Sequence, residues 1–407
     1  MMSWLIFFLV VIIIGIIVSL PKKVEGTVIN GTGSPGDLWK LTLPSTEEGV
    51  MQWSNESQGN SDSVSYTTEN GYLIFAAGGT SGLQYGLRLA NDGYVFVSDK
   101  MGVSGTEAGI INALVEQDFT MNALLNKTFT FFSFVPASAL VFGKGILLGN
   151  VKFTSDNNGG ITATPRGYLS CMNPTLSGSF NDGFVFHITN DDVDPQDKSL
   201  VTIDNPGTEQ DNATGFLSSF GFALDYVPGV LNGTDFDSGN LFGFIQSDSA
   251  EHQASNNGTY NLIVTGYQNA AWNFSSTNAG TVGTKLFFRA TVTIESDPSG
   301  TGCVLSHLTA STQDLTGQGT GTQIINDSTE GTYVPFSQLT AIRNHMEDDL
   351  KGTFMCIDDT NSFGKMVATV VLKGGNIMIS WATRSADSTI QTNTYNIFYA
   401  VGTLIIP

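Results

Sequence analysis

The sequence predicts a mainly β protein. An N-terminal transmembrane helix leads into an antiparallel, jelly-roll-like β-sandwich body, one large sandwich or two packed ones, with two short helical insertions. Three observations predict it. The first twenty residues are apolar and uncharged. The rest is rich in Gly (46) and Phe (27), with only 13% charged residues against the roughly 25% common in globular domains. Short apolar runs separated by turn residues recur along it, without a fixed-period repeat.

Residues 1–20 read MMSWLIFFLVVIIIGIIVSL. Twenty helical residues rise about 30 Å, the thickness of a bilayer's hydrocarbon core. Pro21 ends the run. No basic residue precedes it, and Val18-Ser19-Leu20 makes a poor cleavage site, so the segment reads as a retained anchor rather than a signal peptide. Lys22 and Lys23 lie just after it and favour a cytosolic body. Eight Asn-x-Ser/Thr sequons pull the other way: Asn30, Asn55, Asn126, Asn212, Asn232, Asn257, Asn273 and Asn326. Chance alone gives about 6 in a chain this rich in Asn, Ser and Thr.

Residues 21–65 are polar, broken by Leu38, Trp39 and Trp53, and read as a stalk or arm whose tryptophans anchor a partner. A β-rich body follows over 66–308, with strand candidates at 72–76, 87–90, 94–97, 146–153, 161–164, 184–188, 200–203, 241–245, 262–267 and 286–294. Asn91-Asp92-Gly93 supplies a hairpin turn within it. A helix over 106–126 is expected from Ile110, Ile111, Leu114, Val115, Leu124 and Leu125. Residues 309–331, rich in Thr, Gly and Gln, read as a loop or linker. The last part, 332–407, carries a helix at 337–351, capped by Ser337 and Gly352, then C-terminal strands packing on the body. Lys373-Gly374-Gly375-Asn376 makes a tight turn there.

Net charge is −20, from 17 Lys and Arg against 37 Asp and Glu. Nucleic-acid affinity rests on clustered Lys and Arg, so no nucleic-acid partner is expected. Three cysteines, Cys171, Cys303 and Cys356, show no metal spacing, and an odd number in a long chain predicts no disulfide framework, with one bridge at most. The four histidines have no neighbouring ligand at helical or hairpin spacing, and no nucleophile elbow, phosphate loop or zinc-protease motif occurs.

Two acidic loops are the nearest approach to a site. Asp192 and Asp194 lie in one, Asp235 and Asp237 in the other, and alternate carboxylates on a flexible loop are what Ca²⁺ requires. The second loop lacks the terminal Glu of an EF-hand, and no other cofactor is expected. Glu347-Asp348-Asp349 with Asp358-Asp359 could form a glycosidase pair, and Trp39, Trp53, Trp272 or Trp381 could stack on sugars. Core packing and solvated turns account for the same residues more simply.

These features describe a membrane-anchored structural or interaction protein, not an enzyme. The expected role is a virion component, a minor capsid protein tying an internal membrane to the protein shell. Its partners would be the lipid bilayer, through residues 1–20, and other structural proteins. Its place would be the interface of virion inner membrane and capsid. The alternatives are a cell-surface or envelope glycan-binding protein and, third, an anchored glycoside hydrolase.

Overall fold

Strands dominate because the apolar residues alternate with small polar ones, and Gly and Asn supply the turns between them. The computed structural model describes residues 26–33, 37–77, 79–101, 107–117, 120–135, 145–156, 159–169, 186–197, 199–203, 212–227, 239–246, 254–271, 284–299, 302–310, 331–335, 353–358, 366–384 and 394–405. Among these residues the strands fall into three antiparallel sets of eight, the first and third in sequence order and the middle one in the order of a meander opened between its fourth and fifth strands.

The first set is a closed barrel: β1 (Gly26–Gly33), β2 (Asp37–Pro44), β3 (Glu48–Asn55), β4 (Asn60–Glu69), β5 (Tyr72–Phe75), β6 (Leu83–Arg88), β7 (Gly93–Met101) and β8 (Glu107–Val115). β8 returns to pair with β1, Gly31 opposite Ala113. A one-turn helix, α1 (Met121–Leu124), leads on. The middle set comprises β9 (Thr128–Val135), β10 (Gly145–Ser155), β11 (Ile161–Leu169), β12 (Phe186–Ile188), β13 (Leu200–Ile203), β14 (Asn212–Ser218), β15 (Gly221–Val227) and β16 (Gly239–Gln246). Here β16 returns to β9, and the sheet's ends are β12 and β13, which touch beside a bridge from Val193 to Val201. The third set is again a closed barrel: β17 (Gly258–Ala271), β18 (Thr284–Ser296), β19 (Cys303–Ala310), β20 (Gly331–Pro335), β21 (Thr353–Asp358), β22 (Met366–Lys373), β23 (Asn376–Arg384) and β24 (Thr394–Leu404), with β24 paired to β17. Closure removes the free edges that invite aggregation.

Each unit has its own core. The first holds Trp39, Leu41 and Leu43 from β2, Met51 and Trp53 from β3, and Tyr94 and Phe96 from β7. Phe129, Phe153 and Phe222 meet edge-on in the middle unit. Tyr260, Leu262, Val264, Phe288 and Phe398 fill the third, together with Cys303, whose thiol burial pushes up to about 12. The positions follow a period of two, as a sheet with one face inward demands.

A second period-two set is also buried. Val95 and Val97 of β7, Ile110, Asn112 and Leu114 of β8, Asn261, Ile263 and Thr265 of β17, and Asn376, Met378 and Ser380 of β23 alternate with core residues and lie on the outer faces. They are buried because the units pack on one another. β1 and β8 lie against β14 and β15, β6 against β17 and β24, and β10 and β16 against β24 and β22. By contrast, β4 exposes Ser63, Ser65 and Thr67 between buried Val64 and Tyr66.

Several expectations are corrected. Two of the three sheets close into barrels, and strands pair mainly with their neighbours in sequence, so the body is not the expected jelly-roll-like sandwich. Residues 107–115 are strand β8, not a helix. Ile110, Ile111, Ala113 and Leu114 are apolar without alternation because both faces are buried, which mimics a helical stripe. The helix expected at 337–351 falls outside the described residues. From residue 26 onward the expected stalk forms β1 to β4 of the first barrel. Residues 1–20 lie outside the described residues, and among those described no helix is long and apolar enough to cross a membrane. The transmembrane-anchor reading and the single-pass localisation therefore find no support. The hairpins at Asn91-Asp92-Gly93 and at Lys373–Asn376 are present, with Gly374 and Gly375 at φ 59° and 81°.

Trp39, 1% exposed, should behave as a core residue. Trp39→Ala should cost about 3–5 kcal/mol in urea unfolding. Val50→Ala, in the next strand at 46% exposure, should change stability by less than about 0.5 kcal/mol.

Candidate functional site: the seams between barrels

Among the described residues, directional polar side-chain contacts join the units to one another. Asn70 and Gly71 form the turn between β4 and β5, with φ of 50° and 83°. Both positive values define the tight turn that Asn-Gly favours. The carbonyl of Asn70 accepts a 2.7 Å bond from Asn261 Nδ2 of β17. A Cβ on Gly71 would come within 2.8 Å of that same nitrogen, so the turn and the third barrel approach too closely for a side chain. The next residue, Tyr72, crosses the seam. Its hydroxyl accepts from the backbone N–H of Leu262 at 3.0 Å and donates between the carbonyls of Leu262 and Ala290, each at 2.9 Å. Leu262 and Ala290 face each other across β17 and β18. Burial raises the Tyr72 pKa well above the ordinary phenol value, against the smaller opposing effects of Leu262, Arg289 and Ala290.

The contact is reciprocal. Asn376, at the start of β23, accepts from the N–H of Ala90 at 2.8 Å through Oδ1 and donates to the Ala90 carbonyl at 2.9 Å through Nδ2. A carboxamide thus caps a turn of the first barrel as a partner strand would. On β18, Arg289 places its guanidinium carbon 5.4 Å from the Tyr72 ring centroid and 5.8 Å from that of Tyr85. These are cation–π distances.

The seam to the middle sheet is ionic. Lys40 Nζ lies 3.2 Å from Glu116 Oε2 and 3.6 Å from Asp197 Oδ2. Asn30 Nδ2 donates to Glu116 Oε2 at 3.3 Å and to Ser199 Oγ at 3.0 Å, while Ser199 Oγ donates to Asp197 Oδ1 at 2.6 Å. The five side chains close a ring that joins the first barrel to the connection between β12 and β13. Burial disfavours the charged Lys40, but hydrogen bonds and charge from Glu116, then Asp197, outweigh it and raise its pKa above the usual lysine value.

The residues singled out in the sequence have other placements. Trp39 and Trp53 pack against each other inside the first barrel, tilted by 36° with centroids 5.6 Å apart, and present no surface to a partner or a sugar. Asp192 accepts from the N–H and Oγ1 of Thr189, capping a short turn. Asp194 accepts from the N–H groups of Gln196 and Asp197, and the latter bond foremost lowers its pKa. Their carboxylates thus organise the loop. Among the described residues no group of three His, Cys, Asp or Glu side chains could hold a metal ion. Asp235, Asp237, Trp272, 347–349 and Asp359 lie outside the described residues, as do the side chains of Asp358 and Trp381. Two sequon asparagines, Asn30 and Asn55, are 1% exposed, too buried to accept a glycan in this fold.

Sequence reasoning missed Asn70, Tyr72, Asn261, Arg289, Asn376 and the Lys40 ring. The Asn70-Gly71 pair was a readable hairpin signal. The others carried none, because their partners are remote in the chain.

No protein-family model matches the sequence, and a search of curated proteins finds no match. Among solved structures, a DUF3598-family protein of unknown function from Nostoc punctiforme is 9% identical at a TM-score of 0.20, covering 70% of this chain and 97% of that one. A double mutant of transferrin binding protein B from Haemophilus parasuis is 8% identical at 0.24, covering 90% of this chain and 65% of that one. Likenesses this faint carry no argument about fold or function.

Two outcomes are expected. Tyr72→Phe should cost about 1–3 kcal/mol in denaturant unfolding, because the Leu262 N–H loses its partner inside the seam. The Lys40 ring should stabilise most below the ordinary lysine pKa and lose its contribution as pH rises through the raised value. The unfolding midpoints of wild type and Lys40→Met, measured from pH 8 to pH 12, should therefore converge at the alkaline end.

Proposed function

We propose that this chain is a structural or interaction protein that builds into a larger assembly, such as a virus particle. The observation that carries this reading is the burial of outer strand faces from all three units against one another. Directional bonds pin those faces, notably Tyr72 on the Leu262–Ala290 pair and Asn376 on Ala90. A body locked in this way holds its turns and surfaces at fixed separations, which suits assembly contacts. Low charge density and a −20 net charge fit an acidic, largely apolar-cored building block.

Gradient fractions of purified particles and of cell envelopes, quantified by mass spectrometry for this chain, test the reading. A fixed copy ratio to shell proteins across preparations is the expected result. A chain that stays monomeric outside any particle or envelope, and that turns over an oligosaccharide, would overturn it.

A further inference from the structure

Arg289 stands apart from the other seam residues. The chain has 37 acidic side chains for 17 basic ones, yet among the described residues no carboxylate or hydrogen-bond acceptor is placed on this guanidinium. It is half-buried on the outer face of β18, held against the rings of Tyr72 and Tyr85, which are 4% and 6% exposed. Tyr72 is itself fixed by its three backbone contacts. Ring contact occupies the faces of a guanidinium and leaves its planar fork of N–H donors to be matched.

A second observation lies on the same face. Ile263 is opposite Arg289 and Thr265 is opposite Phe287, so Thr265 sits diagonally beside Arg289 on the outer side of the third barrel. Thr265 is fully buried, and its Oγ1 has no partner among the described residues. One strand further, Tyr399 is opposite both Thr265 and Ser380, and the Ser380 hydroxyl is likewise buried without a partner. Buried hydroxyls are normally satisfied, so the idle Thr265 hydroxyl diagonally beside this guanidinium calls for a ligand, and the Ser380 hydroxyl two strands further on extends the same polar face. The chemistry that fits a planar donor fork with a neighbouring hydroxyl is an oxyanion.

We propose that this outer face of the third barrel, where it meets the first, binds a small carboxylate- or phosphate-bearing molecule. Arg289 anchors the oxyanion and Thr265 donates a further hydrogen bond. Tyr72 and Tyr85 are positioning residues that hold the guanidinium in place. This site is independent of the assembly role proposed above.

Titration calorimetry and thermal unfolding of the full chain, with inorganic phosphate in one arm and acetate in the other, at constant ionic strength set by chloride, test it. Saturable binding of either anion, with a raised unfolding midpoint, is expected, and the arm that responds names the source. Thr265→Val should weaken that binding about tenfold, a loss of ~1.4 kcal/mol, without lowering the midpoint of the anion-free protein. A hydroxyl with a purely structural role would do the reverse. Arg289→Met should abolish binding. Should that variant fail to fold, Arg289→Lys keeps the charge but loses the fork, and about tenfold weaker binding is then expected. No saturable binding in either arm, or binding unchanged in Thr265→Val and Arg289→Lys, would overturn the proposal.

Discussion

The fold depends on burying both faces of the same strands. A closed barrel needs only its inner face apolar, and an isolated one would clothe its outer face in charge. Here β7, β8, β17, β23 and β24 carry consecutive buried residues, such as Tyr94-Val95-Phe96-Val97 and Asn376 through Ser380. Each unit therefore completes its core from within and its outer surface from its neighbours. The low charge density follows from this constraint, since a strand packed on both sides has no solvent face on which to place Lys or Glu.

Apolar packing alone would let the two barrels and the middle sheet slide. Small polar side chains set the register between them. Tyr72 reaches three backbone groups of one strand pair, and Asn376 makes two bonds to a single residue of a facing turn. Both act on backbone atoms, whose positions the barrel hydrogen bonds have already fixed. Misplacing either would leave a buried polar group unpaired, which is dearer than the bond itself is favourable. The ionic ring of Lys40, Glu116 and Asp197 is more exposed, at 42%, 37% and 24% of side-chain area, so solvent screens it and it contributes less. The two seams thus differ in kind: one dry and directional, one wet and sensitive to salt and alkali.

Turns carry much of this docking. The Asn70-Gly71 and Gly374-Gly375 turns are two-residue hairpin links, and each flanks a seam contact. A tight turn keeps the backbone close to its neighbour and exposes carbonyls that a remote Asn can reach. Gly71 is needed twice over, for its left-handed backbone and for the nearness of Asn261.

By itself the sequence determined the β character and several hairpins. Period two at Val64 and Tyr66, and the Asp92-Gly93 and Gly374-Gly375 turns, are local signals that any packing leaves legible. It could not separate a doubly buried strand from a helix. Ile111 faces the first barrel's own core, whereas Ile110 and Leu114 are apolar because of β14 and β15, which lie about a hundred residues away in the chain, for reasons no local window contains. Trp39 and Trp53 misled in the opposite sense. Set among Gly, Ser and Asn they read as exposed anchors, whereas alternation carries both into the first barrel's interior. Only the tertiary structure decided that the meanders close on themselves and that Tyr72, Arg289 and Thr265 share one face. Closure and seams join residues up to 286 positions apart, as between Ala90 and Asn376, and the pairing energy of such contacts depends on partners that local composition cannot name.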